Sequence, residues 1–150
     1  MNEISKYISL KQYVPIGTPE ISNFELKSEE IKIENKDEVM VLNQFISVDP
    51  YMRARMTEKK NYKEPFKIGK AMDGLAIGKV IQTNSNNFNV GDIVSSNFGW
   101  RDKYATSEKN IKKIIKGTKL QSKSKSIKKL TNIRDNYLIE LLKLNKKYKI

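Results

Sequence analysis

Ser47-Val48-Asp49-Pro50-Tyr51-Met52-Arg53 closes an apolar run that begins at Val39. The run, residues 39–46, is β-branched and apolar enough for a buried strand. Asp49-Pro50 ends it. Proline has no N–H to give to a ladder and pushes the residue before it toward extended geometry. Residues 51–56 then suit a short helical turn. Further along stand Gly69-Lys70-Ala71-Met72-Asp73-Gly74, Gly91-Asp92-Ile93-Val94 and Trp100-Arg101-Asp102-Lys103-Tyr104.

Short strand signals surround this centre. Residues 6–10 form a candidate strand, and residues 15–19 a Pro/Gly loop. Residues 24–27 alternate polar and apolar, and residues 31–34 do so again. Residues 76–81 read as a strand whose internal Gly78 points to a bulge or tight bend. Residues 84–89 are a polar turn, and Gly91-Asp92 opens a strand at 93–95. In that turn glycine permits the bend and Asp92 can accept from nearby backbone donors. Many short strands separated by turns indicate a sandwich or barrel.

Composition excludes several chemistries. The 150 residues contain no cysteine and no histidine. No disulfide framework is possible. Zinc sites built on thiolate and imidazole cannot form, and neither can Ser-His or Cys-His nucleophile pairs. Nothing approaches the roughly 18 consecutive apolar residues of a membrane span, and the start lacks the apolar segment of a signal peptide. A cytoplasmic protein is expected. Residues 69–74 do not follow the phosphate-loop order, because Lys70 follows the first glycine rather than the second. Strand bends account for these glycines.

Charge divides the chain. Residues 1–108 carry 15 Lys+Arg and 15 Asp+Glu, while residues 109–150 carry 14 and 2. The entire excess of +12 therefore lies in the last 42 residues. That asymmetry suggests a domain over 5–110 and a Lys-rich tail over 111–150. In the tail, Leu130, Ile133, Tyr137, Leu141, Leu144 and Tyr148 recur at helical spacing. The spacing predicts an amphipathic helix over about 126–147.

In order and spacing, the four quoted segments resemble the front domain of the zinc-independent medium-chain dehydrogenase/reductases, in the NADP-dependent enone and prostaglandin reductase branch. The resemblance covers roughly residues 5–113. It implies a mainly β, GroES-like, partly open β-barrel, here followed by a basic, partly helical tail. It also implies hydride transfer from NADPH to the double bond of an α,β-unsaturated carbonyl compound, without zinc. In that family the Ser47–Arg53 turn lies on the cleft's lip. Pro50 is then expected against the cofactor and Tyr51 against the substrate, with Arg53 and Met72 as further substrate-side residues. Tyr51 could donate to the oxygen on which charge develops, or serve as an aromatic wall. A turn that packs Tyr51 into the core is the structural alternative. Trp100 reads as a core or cleft-wall aromatic.

Family members continue into a Rossmann domain with a Gly-rich turn that holds the pyrophosphate. Downstream of Lys109 the only glycine is Gly117, so no such fingerprint can be assigned. The expectation is a reductase chain truncated by gene decay or a shifted frame, inactive alone and binding NADPH weakly. A Rossmann-domain partner from an adjacent reading frame would complete it. The competing expectation is a non-enzymatic module that binds an acidic partner, RNA or a membrane surface through residues 115–150.

Overall fold

The computed structural model describes residues 2–59 and 63–114. These form two antiparallel sheets, one α-helical turn and two short 3-10 turns, Ile21–Asn23 and Glu108–Asn110. The strands are β1 (Glu3–Leu10), β2 (Phe24–Ile31), β3 (Glu38–Ile46), β4 (Ala76–Thr83), β5 (Ile93–Ser96), β6 (Lys103–Ser107) and β7 (Lys112–Lys113). The turn α1 spans Tyr51–Ala54. β1 and β2 pair as a hairpin, and the other five strands run in the order β6-β3-β4-β5-β7. The sheets do not close on each other, so the architecture is mainly β and partly open. The predicted tail helix lies outside the described residues.

Two apolar clusters fill this frame. Val39, Val41, Val80, Val94, Tyr104 and Ile111 form the sheet core, with Phe88 and Phe98 packed against it. Four of these are valines, which suit a pleated surface because their branched side chains are stiff. Complete burial of one such side chain stabilises by about 1.5–3 kcal/mol. Leu10, Met52, Met56, Phe66 and Met72 form the second cluster, flanked by Tyr13, Phe24, Tyr51 and Trp100. Three methionines give this cluster adaptable, unbranched filling.

β1 contributes Leu10 to the second cluster. One of its edges pairs with β2 from Glu3↔Ile31 to Leu10↔Phe24. Its other edge takes two irregular segments instead of a strand. Ile8 N–H donates to the Trp100 carbonyl at 2.8 Å, and Asp102 N–H donates to the Lys6 carbonyl at 2.9 Å. Further along, Met72 N–H donates to the Ile8 carbonyl at 3.2 Å, and Gly69 N–H to the Leu10 carbonyl at 2.9 Å. Ser5 and Ser9 are fully buried on β1. Ser5 Oγ donates to the Lys103 carbonyl at 2.6 Å, and Ser9 Oγ to Glu25 Oε1 at 3.2 Å. Each buried hydroxyl is thus satisfied.

β3 bends where it faces β4. The register shifts between Met40 and Val41 and again between Asn43 and Phe45. Gly78 lies opposite Asn43 at this point. A Cβ on Gly78 would stand 2.5 Å from Val41 Cγ1 and 2.7 Å from the Leu42 carbonyl oxygen. Only glycine permits so close a crossing. Replacing Gly78 by alanine is expected to cost about 1–3 kcal/mol, read as a fall in the urea midpoint at unchanged m-value. An unchanged midpoint would show that the strands can part freely.

Candidate functional site

Where β3 ends, the chain turns sharply onto the cleft lip. Ser47 N–H donates to the Leu75 carbonyl at 2.8 Å, and the Ser47 hydroxyl bonds to the Asp49 carboxylate. Met52 N–H closes the turn on the Asp49 carbonyl at 3.0 Å. α1 is a single turn with no side-chain cap, so intrinsic helix propensity cannot hold it. Met52 holds it, 2 % exposed in the methionine cluster. Pro50 is left exposed at the tip and Tyr51 half-buried.

Two adjoining depressions open beside this lip, of about 200 and 290 Å³. They share Asp73 and Asn97. Tyr51, Arg55, Lys63 and Glu64 line the first, with the Lys63 ammonium 4.8 Å from the centre of the Tyr51 ring. Ala71, Met72, Phe98 and Arg101 line the second, which is the more apolar.

Arg55 organises the first depression. It is 7 % exposed, and a buried guanidinium needs partners on every side. Arg55 Nη2 donates to Asp73 Oδ2 at 2.8 Å, with a second contact from Nη1 to Oδ1. Its Nε donates to the Glu64 carbonyl at 2.8 Å, and its face lies 4.1 Å over the Phe66 ring. This is a two-pronged pair of the kind the guanidinium fork favours. The hydrogen bond from Arg55 holds the Asp73 carboxyl below the usual carboxylate range, against the opposing pull of burial.

The far wall is the segment from Asn97 to Asp102. It approaches the Gly69–Gly74 stretch very closely. Gly74 N–H donates to the Asn97 carbonyl at 3.0 Å, and Gly99 N–H to the Gly74 carbonyl at 2.9 Å. A Cβ on Gly99 would lie 2.9 Å from that same carbonyl oxygen. Trp100 adopts φ +55°, a left-handed backbone unusual for a bulky residue. Its ring stacks on Phe24 with centroids 6.4 Å apart. The Trp100 ring packs against the methionine cluster and lines neither depression.

The four residues singled out in the sequence separate here. Tyr51 lines the first depression and packs against the methionine cluster. Pro50 marks the tip of the same turn. Met72, 1 % exposed, forms a floor. Arg53 turns away, and its Nε and Nη2 donate to the Gly17 carbonyl at 3.2 and 2.9 Å. It ties the Pro/Gly loop to α1. Sequence reasoning passed over Arg55 and Asp73. The available signal was the arginine of Ala54-Arg55-Met56, spaced to sit on the buried side of the turn with Met52.

Because the folded pKa of Asp73 is depressed, its pairing stabilises the fold above the unfolded value of about 3.9. That contribution disappears as pH falls through the folded value. Asp73→Asn is therefore expected to lie below the parent in urea midpoint at pH 6. The gap should narrow steadily toward pH 3. A gap independent of pH would show that the pair carries no ionic linkage.

Residues 6–114 match the family described as the N-terminal domain of oxidoreductase. The NADPH-dependent curcumin reductase of Escherichia coli is 33% identical over 88 residues, covering 59% of this chain and 26% of that protein. The NADP(+)-dependent 2-alkenal reductase of Nicotiana tabacum is 36% identical over 102 residues, covering 65% and 29%. The crystal structure of CurA from Vibrio vulnificus in complex with NADPH superimposes with TM-score 0.64 at 31% identity, covering 79% of this chain and 34% of that one. The chain thus spans between a quarter and a third of the length of these relatives. With the match running through both sheets, the lip and the far wall, this chain belongs to the family of oxidoreductase N-terminal domains.

Proposed function

We propose that this chain forms the substrate-side wall of an NADPH-dependent reductase acting on conjugated enones and enals. The observation that carries the reading is the juxtaposition of Tyr51, on its proline-tipped turn, with a small apolar depression floored by Met72. The relatives' names supply the chemical class.

The size of the cleft limits what it can hold. Depressions of about 200 and 290 Å³ fall below the roughly 300–1,000 Å³ of sites that enclose a drug-sized ligand. They fit the reacting end of a cofactor and a short unsaturated carbonyl, not a whole dinucleotide. The sequence offers no G-x-G-x-x-G turn for the pyrophosphate. A cofactor-binding partner domain is therefore part of the proposal.

NADPH, when bound, supplies hydride to the β-carbon of the conjugated double bond. The residues of this chain manage the consequences. Pro50 presents a rigid apolar edge to the nicotinamide. Ala71, Met72 and Phe98 exclude water from the alkenyl chain. Charge that builds on the carbonyl oxygen needs a donor nearby, and Tyr51 Oη carries one. Arg55 is committed to Asp73 and Glu64, so it shapes the depression rather than competing for that oxygen. Arg53 keeps the lip in place through Gly17.

Two expectations test the reading. Fluorescence titration of the purified chain with NADPH should give a dissociation constant weaker than about 100 μM, because most of the dinucleotide finds no site. A submicromolar constant would overturn the account of the cleft. Joined to the cofactor-binding part of the Escherichia coli relative, the chain should oxidise NADPH in the presence of a simple enone. In that chimera Tyr51→Phe should lower kcat about 100-fold if the phenol is the donor. Unchanged kcat would leave Tyr51 as an aromatic wall alone.

A further inference from the structure

Asn43 is a polar residue inside β3, at the bulge opposite Gly78. Its side-chain amide reaches across to the far wall. Nδ2 donates to the Phe98 carbonyl at 2.7 Å and to the Arg101 carbonyl at 2.9 Å. Its backbone N–H donates to the Asp102 carbonyl at 2.7 Å. Three hydrogen bonds from one residue thus bracket Trp100 on both sides. Both side-chain acceptors are carbonyl oxygens, so only the amide nitrogen can face them. The amide oxygen is buried beside Gly78, without a partner of its own.

Phe98 and Arg101 line the apolar depression, and both are held through their own carbonyls. We propose that Asn43 is a positioning residue that sets this wall, and through it the width of the depression that takes the enone. The inference rests on the functional reading above only for the identity of the ligand. Asn43 itself lines neither depression, so it acts through residues 98–101. The bulge after Asn43 serves this purpose. It breaks the alternation of β3 just where one side chain must reach the loop. An apolar residue at 43 would leave two carbonyls without their donor, at a penalty larger than the net worth of the bonds.

Trp100 is the only tryptophan in the chain, so the wall carries its own reporter. The experiment uses the full chain with 3-nonen-2-one as probe. The absence of cysteine removes thiol addition to the enone as a confounding reaction. Asn43→Leu keeps the volume and removes both donors, while Asn43→Asp keeps the shape and sets an anion against two carbonyls. Val80→Ala, a cavity in the sheet core, serves as a control of comparable stability loss. Both Asn43 variants should shift Trp100 emission and raise its quenching by acrylamide. Val80→Ala should leave both unchanged. Affinity for the enone, read by Trp100 quenching, should fall roughly fivefold or more in the Asn43 variants. If Asn43→Asp does not fold, Asn43→Leu carries the measurement.

Identical Trp100 emission and acrylamide quenching in Asn43→Leu and the parent would overturn the proposal, whatever the probe does. Altered emission with enone affinity equal to the parent's would overturn its link to the depression. Absence of enone binding by the parent would instead count against the functional reading, while the emission comparison still decides the role of Asn43.

Discussion

The arrangement depends on the second edge of β1. A hairpin strand usually offers that edge to another strand or protects it from pairing. Here it holds two loops side by side. The Ile8 carbonyl accepts from the Met72 N–H, and the Ile8 N–H donates to the Trp100 carbonyl. One residue therefore joins the floor of the cleft to its far wall. The isolated bridges Tyr7↔Arg101 and Ser9↔Ala71 lie on either side of it. An edge strand used in this way fixes the spacing of two irregular segments without either needing regular structure of its own.

What the sequence made legible follows from how local the determinants are. The strand ending at Ile46, the proline turn and the helical turn at Tyr51 were readable, because proline and apolar runs act within a few residues. So was the irregularity at Gly78, and so was Asp92, whose carboxylate accepts from Asn89 N–H at 2.8 Å. Residues 24–27 and 31–34 read as two strands, yet β2 runs unbroken from Phe24 to Ile31. Its middle, Ser28-Glu29-Glu30, has no apolar alternation. Backbone pairing with β1 carries the strand through it. The sequence named no strand at β6, because its alternation begins at Tyr104, inside one of the quoted motifs. Two lysines make β7, and no local pattern could mark them. Their place comes from antiparallel pairing to β5.

The candidate site shows the same division. Tyr51 and Met72 were singled out through the family resemblance that the quoted segments carry. Arg55 offered only its spacing from Met52 as a signal, because its importance lies in where its partners fall. Asp73, the Glu64 carbonyl and the Phe66 ring are 18, 9 and 11 positions away in sequence. A buried arginine is stable only when such distant groups converge, and single-sequence patterns do not report convergence. Asn43 was hidden for a related reason. A polar residue in an apolar strand reads as a flaw until the carbonyls it serves are known.

Trp100 shows how firmly the wall is set. A bulky residue held at φ +55° carries backbone strain of about 1–3 kcal/mol. The local sequence does nothing to favour that conformation, so surrounding contacts must offset it. They are visible on each side: the stack on Phe24, the Trp100 carbonyl bonded to Ile8, and the two carbonyls flanking it held by Asn43. Gly99 lets the chain pass against Gly74 just before the strained residue. Strain sustained by several independent contacts is a mark of a surface formed before any ligand arrives. The far wall is thus built into the fold, while the lip, a single helical turn, is held by the burial of Met52 and by the hydrogen bonds of Arg53 to Gly17.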